Sequence, residues 1–254
     1  MKIIAHRGNK HVAPENTLVA FESAAKAGTD MIETDIYPCA TGEIVIMHDD
    51  DVSGTTNGTG NITELTFQQV RALDAGSKFA PTFAGQKVPT LAELLELYQR
   101  YPKLELLLEF KGIWNTADAQ RVIDALAAAG INNRVVVESF FPQTVAVLQQ
   151  VAPHLPRGLL VEPPILAKIH AEFGDPIELC HQLGAEFLNP GMEVLAADPE
   201  FISRAHKAGL GVMVWTANQP SQWEMLLANG VEGVCTDRPE FLAGWLAGKG
   251  GLDD

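Results

Sequence analysis

Eight short apolar runs recur along the chain, separated for most of its length by stretches of helical periodicity. The runs are Lys2–Ala5, Met31–Ile36, Leu104–Phe110, Arg134–Ser139, Arg157–Val161, Glu186–Leu188, Gly211–Trp215 and Gly233–Thr236. Strands joined through amphipathic helices lie parallel, and eight such units close into a TIM-type (β/α)8 barrel. One barrel of this kind takes about 250 residues, so residues 1–254 are expected to form a single barrel domain. Helix starts are legible too. Asn16 precedes Leu18, Phe21 and Ala25, and Thr90-Leu-Ala-Glu93 has the form of a capping box. Later helices are expected to begin near Thr116, Pro142, Asp198 and Gln219, and the last to carry Phe241, Leu242, Trp245 and Leu246 on one face.

A ninth run, Ile44–Met47, follows Ile36 too closely for a parallel crossover, which needs a dozen or more residues. The turn signal Thr41-Gly42 makes it the antiparallel partner of Met31–Ile36. Residues 50–89 are then an insertion, broken repeatedly by Gly and Pro, with one helical period around Phe67–Leu73. A stretch of that length is expected to form a small subdomain over one barrel face.

Charge narrows the partners. Lys+Arg 18 against Asp+Glu 32 gives a net charge of −14, and such a field repels nucleic acid and anionic membranes. No apolar run approaches the roughly 18 residues of a membrane span, and the N-terminal residues carry no signal-peptide pattern, so no stable membrane association is expected. Cys39, Cys180 and Cys235 are odd in number, far apart and without ligand spacing, as for free thiols in the cytoplasm. Oligomeric state is left open.

Nearly every predicted strand is apolar at its start and polar at its C-terminal end: His6-Arg7, Glu33 and Asp35, Glu109 with Lys111, Glu138-Ser139, Glu162, Asn189, Trp215-Thr216 and Asp237. Active sites of such barrels lie on the face made by strand C-termini, so these residues converge on one mouth. Asp237 has a plainer alternative, that of N-capping the final helix. Glu33 and Asp35 are two apart on a strand and share a face, and Glu109 can bring a third carboxylate to them. Inward carboxylates repel unless a cation lies between them. Oxygen ligands without Cys suit Mg²⁺ or Ca²⁺, the alternative being a solvated acidic rim. His6 and His48 flank the carboxylates as a pair suited to general acid and general base. Arg7 and Lys111 are the mouth's cations, fitted to an anionic group such as phosphate or simply to neutralising Glu33 or Glu109. A metal, an arginine, a lysine and two histidines together describe phosphoryl chemistry, and with neither a Walker A loop nor a GxGxxG after a strand it is expected to proceed without a nucleotide loop.

In His6-Arg7-Gly8, Pro14-Glu15-Asn16-Thr17, Glu33-Thr34-Asp35, His48-Asp49, Leu73-Asp74-Ala75-Gly76, Pro89-Thr90-Leu91, Glu109-Phe110-Lys111, Ser139-Phe140, Trp215-Thr216 and Thr236-Asp237-Arg238-Pro239, the sequence resembles glycerophosphodiester phosphodiesterases over almost its whole length. The resemblance implies a TIM barrel with an inserted subdomain and a divalent ion, Mg²⁺ or Ca²⁺, held by Glu33, Asp35 and Glu109. It implies His6 and His48 as acid and base, Arg7 and Lys111 on the phosphate, Glu15 supporting the site, and Trp215 as an apolar wall beside the glycerol. The implied reaction releases sn-glycerol 3-phosphate and an alcohol such as choline or ethanolamine. In it the substrate's own hydroxyl attacks phosphorus to give a cyclic phosphate, and water opens the ring. Many relatives carry a basic residue where this chain has Gly54 before Thr55-Thr56, which bears on head-group preference. Two other readings are a lysophospholipase-D-like enzyme, for which no apolar ridge is visible, and a silent glycerophosphate-binding barrel, for which a site residue would be missing.

Overall fold

Strands buried on both faces read as nearly continuous runs of Val, Ile and Leu, because helices cover one side and the barrel interior the other. The computed structural model describes residues 1–250 and bears this out in chain order. The first half comprises β1 (Lys2–His6), α1 (Leu18–Lys26), β2 (Met31–Pro38), β3 (Ile44–Ile46), α2 (Phe67–Ala72), α3 (Leu91–Arg100), β4 (Glu105–Phe110), α4 (Thr116–Ala128) and β5 (Val135–Ser139). The second comprises α5 (Pro142–Val151), β6 (Arg157–Val161), α6 (Pro163–Glu172), α7 (Pro176–Gln182), β7 (Phe187–Pro190), α8 (Met192–Ala197), α9 (Phe201–Lys207), β8 (Met213–Val214), α10 (Pro220–Ala228), β9 (Gly233–Thr236) and α11 (Pro239–Gly250).

The parallel strands run β7-β6-β5-β4-β2-β1-β9-β8, and parallel bridges at Phe187–Gly211 and Gly191–Trp215 join β7 to β8. The architecture is an eight-stranded parallel barrel with helices between the strands. β3 stands outside the ring, antiparallel to β2 with Ile46 opposite Ile36, as the hairpin reading expects. Ile4, Met31, Leu107, Val136, Met213 and Cys235 plug the barrel interior. Larger clusters around Phe21, Leu94, Tyr98 and Phe110, and around Leu159, Leu188, Phe201 and Trp223, fill the space between sheet and helices.

Thr90 and Glu93 make the reciprocal capping box, and α4, α5 and α10 start within a residue of their signals. The sequence gives no warning of α6, α7 and α8, short helices whose apolar faces pack only partly on the core. α9 opens at Phe201, three residues after Asp198. On α11 Leu242 is buried and Trp245 and Leu246 pack against the core, but Phe241 is 53% exposed and lies edge-on to His11.

Between β3 and α3 the chain builds its own apolar cluster from Val52, Ile62, Val70, Ala75 and Val88, set against Val45 and Met47 of the hairpin. A bidentate pair from Arg71 to Glu93, at 2.8 and 2.9 Å, ties this segment to α3. The three cysteines are free and buried, and no described helix is long and apolar enough to cross a membrane.

Candidate active site

β1 delivers His6 to the barrel mouth, and the chain then turns through two left-handed residues, Arg7 (φ 56°) and Gly8 (φ 80°). Gly8 is required twice over, since a Cβ there would lie 2.7 Å from the carbonyl carbon of Ala20 on α1. Arg7 has no such freedom, and a non-glycine residue held at positive φ stores strain of about 1–3 kcal/mol. In return its N–H is aimed at Glu33, donating to Oε2 at 2.9 Å. Its guanidinium reaches Glu15 Oε1 at 2.8 Å and lies 3.7 Å from Asp35 Oδ2.

Strand register assembles the carboxylates. His6 is level with Glu33, and Asp35 with Glu109, so β1, β2 and β4 bring these side chains together. Oxygens of Glu33, Asp35 and Glu109 all lie within 4.8 Å of one another, and all three residues are buried. Asn16, itself left-handed at φ 54°, donates to Asp35 Oδ2 at 2.8 Å while accepting from Thr34. Lys111 Nζ sits 2.8 Å from Glu109 Oε1 and 3.1 Å from Asp35 Oδ1.

Burial pushes every one of these carboxyls up, and the neighbours decide the outcome. Lys111 and then Arg7 more than reverse it at Asp35, which is held well below the usual carboxylate range. Glu33, repelled by Asp35 with only Arg7 to compensate, stays well above it. Burial carries Glu109 to about 8 despite Lys111. Two cations thus leave the cluster of three carboxylates short of positive charge. Asp35 Oδ1 also makes no well-directed hydrogen bond although it is buried. Oxygen-only donors, converging and under-neutralised, fit a hard divalent ion.

Each histidine has a carboxylate on its Nδ1. His6 pairs with Asp237 Oδ1 at 2.6 Å, and Asn218 Nδ2 holds the other oxygen of Asp237 at 2.8 Å. Asp237 therefore faces the site and does not cap the last helix. His48 follows Met47, whose N–H donates to the carbonyl of Asp35, and its Nδ1 lies 2.6 Å from Asp49 Oδ1. Hydrogen bonding at Nδ1 leaves Nε2 of each ring to face a reactant. Burial lowers His6 to about 4 against the opposing hydrogen bond from Asp237, and burial also lowers His48, partly offset by Asp35.

The predicted residues meet around one cavity of about 360 Å³. His6, His48, Arg7, Glu33, Glu109 and Lys111 line it together with Glu138, Glu162, Phe140 and Trp215, and Lys111 Nζ lies 5.6 Å from the centroid of the Phe140 ring. Asp35 lies buried beneath the cations, and Glu15 sits behind Arg7. Trp215 donates from Nε1 to the carbonyl of Asn189 at 3.0 Å and meets Phe140 edge to face, 5.4 Å between centroids. Residue patterns miss the partners: Asp237 for His6, Asp49 for His48, Asn16 for Asp35. Only Asp49, next in sequence to its histidine, carried a local signal.

Against this geometry, the model of the glycerophosphoryl diester phosphodiesterase family matches residues 6–241, a span that begins at His6 and includes every residue of the site. The chain belongs to that family. It is a phosphoric diester hydrolase, and family relatives agree over its full length. A glycerophosphodiester phosphodiesterase of Caldanaerobacter subterraneus subsp. tengcongensis is 33% identical over 251 residues, 98% of each chain. Among solved structures, the glycerophosphodiester phosphodiesterase of Agrobacterium tumefaciens superposes with a TM-score of 0.80 at 26% identity, covering 96% of this chain and 99% of that one. An Oleispira antarctica phosphodiesterase, in complex with the product sn-glycerol-3-phosphate, gives 0.83 at 26% identity and 97% coverage of both chains.

Proposed function

We propose that the protein hydrolyses glycerophosphodiesters such as glycerophosphocholine or glycerophosphoethanolamine to sn-glycerol 3-phosphate and an alcohol, with Mg²⁺ or Ca²⁺ held by Glu33, Asp35 and Glu109. The observation that carries the reading is one cavity lined both by charged side chains with two imidazoles and by the aromatic rings of Phe140 and Trp215. The product held by the Oleispira relative supports the same substrate class. A phosphodiester fits the charged groups, and a small polyol the aromatic rings.

In this reading Arg7 and Lys111 bind the phosphate oxygens, and Arg7 is presented by its contact with Glu15. Trp215 holds the glycerol against the aromatic wall. One histidine Nε2 takes the proton of the glycerol hydroxyl beside the phosphorus, and that oxygen attacks to close a cyclic phosphate. The other Nε2 gives its proton to the departing alcohol oxygen. A water then opens the ring with the proton roles exchanged. Positioned imidazoles contribute about 10²–10⁴-fold each. Bound at the three carboxylates, a divalent ion supplies Lewis-acid stabilisation of charge growing on the phosphoryl oxygens. No protein nucleophile is needed.

The test is release of sn-glycerol 3-phosphate from both diesters with Mg²⁺, with Ca²⁺ and with chelator, and with His6→Ala prepared in parallel. Release by the wild type that chelator removes, and that His6→Ala lowers at least about 100-fold, supports the reading. Absence of release from either diester by folded, metal-loaded wild type overturns it.

A further inference from the structure

One buried carboxylate in the cavity has no part in the scheme above. Glu138, 2% exposed on β5, lies level with Glu109 in register but is held from the opposite direction. Asn189 on β7 donates from Nδ2 to Glu138 Oε2 at 2.7 Å, spanning the intervening strand β6. It can do so because the residue between them is Gly158, where a Cβ would come within 2.8 Å of Asn189 Nδ2 and 3.4 Å of Glu138 Cβ. Asn189 is itself fixed, its Oδ1 accepting from Met213 N at 2.9 Å and its carbonyl from Trp215 Nε1. One residue thus locks both the carboxylate and the indole that wall the same part of the cavity. Among the described residues no donor reaches Glu138 Oε1.

A buried acceptor kept in place by three strands and left half-used is a recognition element. Phe140, just beyond the end of β5, meets Trp215 edge to face, and both rings line the cavity together with Glu138. We propose that Glu138, oriented by Asn189, is a specificity residue that accepts a hydrogen bond from the terminal hydroxyl of the substrate's glycerol, the hydroxyl that takes no part in ring closure. This rests on the hydrolytic reading above. It makes the enzyme selective for a glycerol ester over the corresponding propanediol ester, because without that hydroxyl Glu138 Oε1 loses its partner where the bound substrate shuts out water.

The experiment compares kcat/KM for glycerophosphocholine and for its analogue with a methyl group in place of the terminal CH₂OH, which keeps the attacking hydroxyl. A hydrogen bond whose loss leaves its partner unsatisfied corresponds to a preference of about 10- to 100-fold for the glycerol ester. Glu138→Ala is expected to abolish that preference, and the isosteric Glu138→Gln, whose carbonyl can still accept from Asn189, to cut it by about 10-fold or more. A merely structural role lowers both substrates alike and leaves the ratio unchanged. If Glu138→Ala does not fold, the ratio in Glu138→Gln decides. Wild type without the preference, or variants that keep it, overturn the proposal while leaving glycerophosphodiester hydrolysis standing. Wild type inactive on glycerophosphocholine overturns the hydrolytic reading, and this proposal with it.

Discussion

In the proposed reaction His6 is a single residue prepared for proton transfer. Its side chain is 13% exposed, burial lowers its pKa to about 4, and Asp237, anchored by Asn218, fixes Nδ1. Asp237→Asn is expected to lower kcat more than it changes KM, by up to about the 10⁴-fold seen when a histidine loses its orienting carboxylate. A change confined to KM would show that Asp237 acts on binding. The depressed pKa also makes a stability statement. An exposed histidine in the unfolded chain titrates near 6.5 and the folded one at about 4. Between those values the unfolded state binds the extra proton, so this contribution is complete above 6.5 and is lost as pH falls toward 4. From pH 7.5 to 4.5 it amounts to about 2.5 kcal/mol. Denaturant unfolding of metal-free wild type and His6→Gln at the two pH values checks it. The variant is expected to lose less stability than the wild type by about that amount, and equal losses would mean His6 is not held neutral. The sequence discloses His6, His48, Glu33, Asp35 and Glu109 because strand-end position and a period of two are local properties. It leaves Asp237 open between the barrel mouth and a helix cap, since its partner His6 lies at the other end of the chain and only barrel closure through β1 and β9 joins them.

At the scale of elements, the β strands are readable because each is a short, mostly apolar run that turns polar at its C-terminal end, and the hairpin because Thr41-Gly42 leaves no room for a crossover. α6, α7 and α8 are not, because helices with one to three buried residues leave little periodicity to detect. The turn from β1 into α1 is where local conformation and chemistry are most tightly joined. Arg7 and Gly8 are left-handed so that one N–H meets Glu33, and Gly8 packs against Ala20. Gly8→Ala adds a methyl group at 2.7 Å from backbone and imposes a left-handed alanine. A loss of about 2–4 kcal/mol is expected, measured as a shift in the urea midpoint with unchanged slope. Activity should fall more than stability explains, as Arg7 loses its aim. Unaltered stability would mean that the turn has room to relax.

Across the whole molecule the charge is −14, and its most concentrated buried part is the group of Glu33, Asp35 and Glu109 at the strand C-termini of β2 and β4. Lys111 and Arg7 neutralise Asp35 fully but leave Glu33 and Glu109 with raised pKa values, so the apo fold carries carboxyls that repel one another. A ligand that binds only the folded state stabilises it by RT ln(1 + [L]/Kd), about 2.7 kcal/mol at a hundredfold excess over Kd. For a chain of this size each 1 kcal/mol moves Tm by about 2–4 °C, so saturating Mg²⁺ or Ca²⁺ is expected to raise Tm by roughly 5–10 °C. Glu33→Gln separates the two contributions. It removes one charge from the repelling group, so the metal-free variant should melt no lower than metal-free wild type, provided the amide oxygen still accepts from Arg7 N. It also removes a ligand, so the rise on adding metal should shrink or vanish. Calorimetry of both proteins with and without ion reads each effect apart. An undiminished rise in Glu33→Gln would take Glu33 out of the ligand set, and absence of any rise in the wild type would mean that Lys111 and Arg7 are all the neutralisation the carboxylates require.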